Sequence, residues 1–295
     1  MIYPMNTINQ TVDTSQKILS ALHNSPLAND LNVNFINEWH QQVHLPSFSQ
    51  AQSFEIWSTH NGERLTMHQM GNAKTLLKKH ASYYKDNLQV DKHILQRLEK
   101  IQLNCQSNKI GSWIELNTLG VNAGWYLPGQ VSFDRLYQLL EKDDLSQKIL
   151  TRWANLFVDA TCLGYGESLL DDTIQQIDLM IDPTQNINNQ LRKALYLADL
   201  FNVPDFPFLL PKVLQTYNAR QLVISLWLRE KKALKFGLRF LYPSIKLIEA
   251  FCMIARFSKL DEDHLAQLHS LSNQVKWVEI QNTTKGLVVE LSYQV

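Results

Sequence analysis

Apolar and polar residues alternate along five pairs of short segments, and helical periodicity marks the stretches between most of these pairs. The alternation is strictest at 222–228 and 234–240, on either side of a charged turn. A period of two sends successive side chains to opposite faces of a strand, and two such strands around a polar turn predict an antiparallel hairpin. We therefore predict an α+β protein of repeated helix-hairpin units, with hairpins near residues 53–70, 112–127, 160–181, 220–241 and 276–294.

Two of the predicted hairpins share a short sequence. Trp-Ile-Glu-Leu-Asn at 113–117 recurs as Trp-Val-Glu-Ile-Gln at 277–281, which favours an internal repeat of one supersecondary unit. The Pro-Gly pair at 128–129 predicts the end of the second hairpin. The third pair is ambiguous, because the isoleucines within 174–181 suit a helix as well as a strand.

Composition and charge argue against a nucleic-acid or membrane partner and against a framework of zinc sites or disulfides. The chain has 295 residues, 45% of them hydrophobic, a formal net charge of zero and three cysteines. A neutral chain has no overall field for a nucleic acid or an anionic membrane, so neither is an expected partner. The cysteines match no zinc or disulfide spacing, and the first residues do not resemble a signal peptide. These features predict a single cytoplasmic domain over residues 1–295, of unknown oligomeric state.

The polar side of the predicted strands carries indoles as well as charges: Trp57, Trp113, Trp227 and Trp277. Such a face could meet solvent in an open two-layer sheet. It could also line the interior of a closed ten-stranded barrel, which leaves no strand edge exposed and carries its helices outside. Each indole could remove ~150–250 Å² from water, so the tryptophans favour the barrel.

Five helix-hairpin units in a chain of this length resemble the soluble aromatic and peptide prenyltransferases, whose αββα units form a closed barrel. The resemblance rests on element order and size over nearly the whole chain. It implies transfer of a prenyl group from an allylic diphosphate to an aromatic or peptide acceptor inside the barrel, in natural product biosynthesis of the bacterial type.

The resemblance also implies roles for residues on the polar strand face. Basic residues would hold the diphosphate, and these are Lys235, Arg239 and Arg64. Aromatic rings would surround the prenyl cation, and these are Trp57, Trp113, Trp227 and Trp277. A carboxylate facing the acceptor would take up a proton, and Glu115 and Glu55 are the candidates. Three basic groups are few for a diphosphate, so Mg²⁺ is a candidate cofactor, although no residue is assigned to bind it.

Two other functions remain open from the sequence. A noncatalytic protein could hold a peptide or an apolar ligand on the same tryptophan-bearing face. A helical, metal-dependent terpenoid enzyme is the third interpretation, because Asp171 and Asp172 followed by Asp178 are similar to an aspartate-rich magnesium motif. The spacing of Asp178 departs from that motif, and a high strand content would exclude this interpretation.

Overall fold

The computed structural model describes ten strands, three helices and the residues that link some of them. The described residues are 53–59, 62–72, 109–117, 120–131, 161–168, 174–229, 232–255, 275–283 and 286–294, together with single residues between 78 and 99 and the pair 151–152. The helical period also predicts two short helices within 12–43, which lie outside the described residues, and a helical region over 133–157, of which only 151–152 are described and are helical. Within the described parts, no helix has the length and apolarity that crossing a membrane requires.

The strands are numbered in chain order. They are β1 (Ser53–Thr59), β2 (Gly62–Asn72), β3 (Lys109–Asn117), β4 (Gly120–Val131), β5 (Thr161–Ser168), β6 (Ile174–Met180), β7 (Leu222–Arg229), β8 (Lys232–Leu241), β9 (Val275–Thr283) and β10 (Gly286–Gln294). Each strand pairs antiparallel with the next one along the chain. The strand β1 also pairs with β10, in register from Glu55↔Gln294 to Ser58↔Leu291. The sheet therefore closes on itself as a barrel.

The α+β class and the antiparallel hairpins are as predicted from the alternation. Residues 174–180 form a strand rather than a helix, which removes the helical magnesium motif as an interpretation. The prediction that the second hairpin ends at Pro128-Gly129 is wrong, because β4 continues to Val131. The strand accommodates the proline through a register shift between Pro128 and Val131, where its pairing with β5 is irregular.

Three helices are described outside the barrel: α1 (Ile187–Leu200), α2 (Leu210–Thr216) and α3 (Ile245–Ile254). Asn186 caps α1 and Ser244 caps α3, since each side-chain oxygen accepts from a backbone N–H three residues later. The side chain of Gln190 links α1 to the sheet by two hydrogen bonds. Its amide donates to the carbonyl oxygen of Arg220 at 2.9 Å and accepts from the N–H of Leu222 at 3.0 Å, at the start of β7.

The strand side chains that alternate with the polar ones are aliphatic and completely buried, for example Ile177, Leu226, Leu238 and Ile280. Buried residues on α1 and α3, including Leu197 and Phe251, provide the matching apolar surface. Burying each such side chain contributes about 1.5–3 kcal/mol. The apolar core therefore lies between barrel and helices, which leaves the polar strand face directed inwards.

Candidate functional site in the barrel interior

Cross-strand register brings the polar strand residues to one side of the sheet. Asp178 on β6 lies opposite Ser225 on β7, Ser225 lies opposite Gly237 on β8, and Gly237 lies opposite Gln281 on β9. Directly paired residues of antiparallel strands share a face. This row therefore runs around one wall of the barrel interior, and residues two positions away along each strand face the same way.

Arg239 is the centre of an ion-pair network on this wall. Its Nε donates to Oε2 of Glu279 at 2.6 Å, and Nη1 lies 3.7 Å from Oδ2 of Asp178. A third contact is a 3.3 Å hydrogen bond from Nη2 to Oγ of Ser225. The carboxylate of Glu279 has no solvent exposure, so the guanidinium compensates a charge that burial alone would strongly disfavour.

A second cation, Lys235, joins the same network through Gln281. The Nζ atom of Lys235 lies 3.2 Å from Oε2 of Glu290. The Nε2 atom of Gln281 donates to Glu290 at 2.5 Å and to Oε1 of Glu279 at 2.8 Å. A continuous chain of polar contacts thus links Lys235 to Arg239, and such connected networks polarise and orient their members.

Tryptophan rings lie against the two cations of this network. The rings of Trp113 on β3 and Trp227 on β7 meet edge to face with centroids 6.4 Å apart, although their strands are separated by three others. Two side chains from such distant strands meet only if both project into the barrel interior. Lys235 lies over the Trp227 ring at 5.3 Å and Arg239 over the Trp277 ring at 5.2 Å, within the range of cation–π attraction.

Glycines make room for these large interior side chains. A Cβ atom at Gly237 would overlap the carboxylate of Glu279, and one at Gly124 would overlap the ring of Trp113. Tyr126 lies across Gly111 in the same way. In a close-packed interior even one extra methyl group can displace its neighbours and destabilise the fold. The positions of Glu279 and Trp113 therefore depend on the absence of side chains at their neighbours.

The structure brings most of the predicted site residues together. Lys235 and Arg239 lie in the network, Trp227 and Trp277 lie against it, Trp113 meets Trp227, and Glu115 is buried on β3. Register places the other predicted residues on the same strand face, and these are Glu55, Trp57 and Arg64.

Sequence reasoning did not assign Asp178, Glu279, Gln281 and Glu290 to the site, although the alternation places them on the polar face. Their role comes from their contacts with Lys235 and Arg239. Two of the three predicted diphosphate-binding cations, Lys235 and Arg239, are therefore already in contact with carboxylates, which a sequence pattern does not reveal.

A separate buried polar cluster lies on the outer face of the barrel. Arg97 donates to both oxygens of Glu167, at 3.0 and 2.7 Å, and the hydroxyl of Tyr165 donates to Oε1 at 2.6 Å. Burial, with the adjacent Glu167 carboxylate, raises the pKa of Tyr165 well above its usual value. Arg97 belongs to a helical segment and Glu167 to β5, so this cluster attaches a helix to the barrel wall rather than serving the interior.

The described residues contain no group of three histidine, cysteine, aspartate or glutamate side chains arranged to bind a metal ion. A Mg²⁺ ion typically takes one or two carboxylates and completes its octahedron with phosphate oxygens and water. The interior side chains therefore fit a metal only if a bound diphosphate supplies most of the ligands.

Comparison with solved structures identifies the architecture. AnaPT from Neosartorya fischeri superposes with a TM-score of 0.71 at 10% identity, over 98% of this chain and 94% of that one. NotF in complex with brevianamide F and DMSPP gives 0.69 at 10% identity, over 99% and 96%. The chain has the aromatic prenyltransferase fold. The resemblance inferred from the order of helices and hairpins is confirmed at this level.

A third solved structure also shares this fold. The 6-dimethylallyltryptophan synthase from Micromonospora olivasterospora, in complex with DMASPP and Trp, gives a TM-score of 0.64 at 11% identity, over 94% of this chain and 95% of that one. No protein-family model matches the sequence, and no curated protein matches it. The similarity is therefore one of backbone architecture and does not transfer individual residues.

Proposed function

We propose that this protein transfers a prenyl group from an allylic diphosphate to an aromatic or peptide acceptor in the barrel interior. The observation that carries the proposal is the meeting of Trp113 and Trp227 inside the barrel, beside Lys235 and a carboxylate network. Indole faces, cations and carboxylates are the groups this reaction needs in one enclosure. The shared fold adds support, since its solved examples include complexes with DMASPP and Trp and with DMSPP and brevianamide F.

In the proposed reaction, the allylic C–O bond breaks and the diphosphate leaves with the electron pair. An electron-rich atom of the acceptor forms the new bond to the allylic carbon, and the acceptor then loses a proton to a carboxylate. Ring faces stabilise the allylic cation without supplying a lone pair that would trap it. Excluding water from the interior protects the cation from hydrolysis.

Residue roles follow from position in the barrel. Lys235 and Arg239 would bind the diphosphate, assisted by Arg64, whose strand position faces the same side. The prenyl group would lie against Trp113, Trp227 and Trp277, with the position of Trp57 on the adjacent wall. Glu115, or Glu55 at the neighbouring strand position, would accept the proton.

The two cations already contact Glu290, Glu279 and Asp178, so a diphosphate must compete with these carboxylates. A Mg²⁺ ion carried by the diphosphate would reduce that competition by offsetting its charge.

Two measurements test this proposal. Mass spectrometry should detect an acceptor gaining the mass of one prenyl group when the protein is incubated with allylic diphosphates and a panel of indoles, phenols and short peptides. Thermal denaturation should show stabilisation by a nonhydrolysable allylic diphosphate, by about 2.7 kcal/mol when the ligand is at roughly 100 times its Kd. We expect that stabilisation to disappear in Lys235→Ala and in Arg239→Ala.

The matched control is Lys232→Ala, which removes the same charge from the exposed start of β8, outside the network. It should keep the stabilisation by the diphosphate. Stabilisation that survives in both Lys235→Ala and Arg239→Ala would contradict the assigned diphosphate site. Absence of both product and stabilisation at millimolar ligand would contradict prenyl transfer and favour a noncatalytic binding protein.

A further inference from the structure

In its middle, the described barrel interior carries more carboxylates than cations, whereas Lys109 and Arg229 share that face only at the ends of β3 and β7. Away from the strand ends, its charged side chains are Glu115, Asp178, Glu279 and Glu290 against Lys235 and Arg239. The equivalent positions on β1 and β2 add one glutamate and one arginine, Glu55 and Arg64, which leaves the difference unchanged. A wall with this excess attracts positive charge, because interactions are stronger where water is partly excluded.

Asp178 is the most exposed of the three carboxylates that contact Lys235 or Arg239. Its cross-strand neighbours are Gly164 on one side and Ser225 on the other, and the next position is Gly237. Gly164, Ser225 and Gly237 have small side chains or none, and the larger Gln281 comes one strand further on. The Asp178 side chain is 24% exposed, against 9% for Glu290 and 0% for Glu279. A ligand group can therefore approach its carboxylate alongside bare backbone.

Two unpaired buried atoms supply an independent indication of a ligand. Within the described structure, neither the Nε1 atom of Trp227 nor the hydroxyl of Ser292 has a hydrogen-bond partner, and Ser292 has no solvent exposure. Ser292 lies opposite Trp277, on the interior face. Trp227 lies opposite Gln176, whose amide donates to Asp178 at 3.2 Å. Buried donors without partners are costly, and a ligand carbonyl oxygen would satisfy the Trp227 N–H close to Asp178.

We propose that the acceptor presents an ammonium or guanidinium group to Asp178 and a carbonyl oxygen to the N–H of Trp227, as a basic residue within a peptide or amide would. This inference rests on the proposed function, because it names the chemical class of that reaction's acceptor. Gln176 positions the Asp178 carboxylate through its 3.2 Å hydrogen bond. The cation subsite adjoins the assigned diphosphate site, since Asp178 lies 3.7 Å from Arg239, so a cationic acceptor would replace part of the Arg239 contact when the diphosphate binds that arginine.

A matched pair of ligands tests the inference by calorimetry without requiring turnover. N-acetylarginine amide and N-acetylcitrulline amide have nearly the same shape, but only the first is charged. We expect the arginine compound to bind at least fivefold more tightly, and the ratio to fall close to one in Asp178→Asn. The control variant Asp182→Asn makes the same change in the loop after β6, where Asp182 bonds Thr184, and should keep the full preference.

Equal affinity for the two compounds, no binding of either, or a preference retained in Asp178→Asn would each overturn the inference. Donor binding is measured separately with the nonhydrolysable allylic diphosphate. If the protein binds the donor but does not prefer the arginine compound, prenyl transfer remains supported and the cationic acceptor is contradicted. A charge preference lost in Asp178→Asn, without donor binding, supports the cation subsite and counts against prenyl transfer.

Discussion

Replacing Arg239 with methionine removes the positive partner of a carboxylate that has no access to solvent. Glu279 is 0% exposed, and Arg239 Nε donates to it at 2.6 Å. Methionine retains most of the side-chain volume but leaves Glu279 with the neutral amide of Gln281 as its hydrogen-bond donor. Breaking a buried ion pair costs ~3–5 kcal/mol. Because the Arg239 side chain is itself 12% exposed, we expect a loss of about 3 kcal/mol, the low end of that range.

Urea unfolding followed by circular dichroism measures this loss as a change in the free energy of unfolding. A change of about 3 kcal/mol should also lower Tm by roughly 6 °C. The control is the double variant Arg239→Met/Glu279→Gln, which removes both charges and should recover at least half of the stability, since a buried pair can be replaced at little cost. A loss below about 1 kcal/mol, as for exposed pairs, or a double variant no more stable than the single one, would contradict the role of Arg239 as the charge partner of buried Glu279.

Two further stability predictions come from the glycines and from the outer cluster. Gly124→Ala should lower the free energy of unfolding, measured by calorimetry, by about 1–3 kcal/mol because its Cβ would overlap Trp113. Gly164→Ala should change it by no more than about 0.5 kcal/mol, because the nearest neighbour of its Cβ is a carbonyl oxygen at 3.6 Å. Equal losses of stability in the two variants would contradict the close packing of Trp113 on Gly124. Tyr165→Phe should cost about 1.5–3 kcal/mol at neutral pH by removing the 2.6 Å hydrogen bond to Glu167. Because the folded-state pKa of Tyr165 is raised while the unfolded chain titrates near pH 10, wild-type stability should fall as pH rises above about 10, and the variant should lack that part of the fall.

The strict alternation in 222–228 and 234–240 made the β7–β8 hairpin predictable. It also placed Trp227 and Lys235 on the same face, as observed. The tryptophans were informative because indoles on a polar face have to be buried somewhere, and a barrel interior provides that place. The hairpin and the burial of the tryptophans could both be predicted because each depends on the order of residues within single strands, which folding does not change.

Contacts between distant residues were not predictable in the same way. The pairing of Lys235 with Glu290, 55 positions apart, depends on the register between β8, β9 and β10. The bond between Arg97 and Glu167 spans 70 positions and joins a helix to a strand. The predicted end of the second hairpin at Pro128 was wrong because β4 continues past this proline with an irregular register. A pattern with a period of two specifies the face of a strand but not the partner across it.

The most direct test of the central claim is a crystal structure of the protein with a nonhydrolysable allylic diphosphate. We expect electron density inside the barrel, with the prenyl chain against Trp113 and Trp227 and the diphosphate next to Lys235 and Arg239. A ligand bound on the outer surface, or an interior that excludes it while Lys235 and Arg239 keep their contacts with Glu290 and Glu279, would contradict the claim.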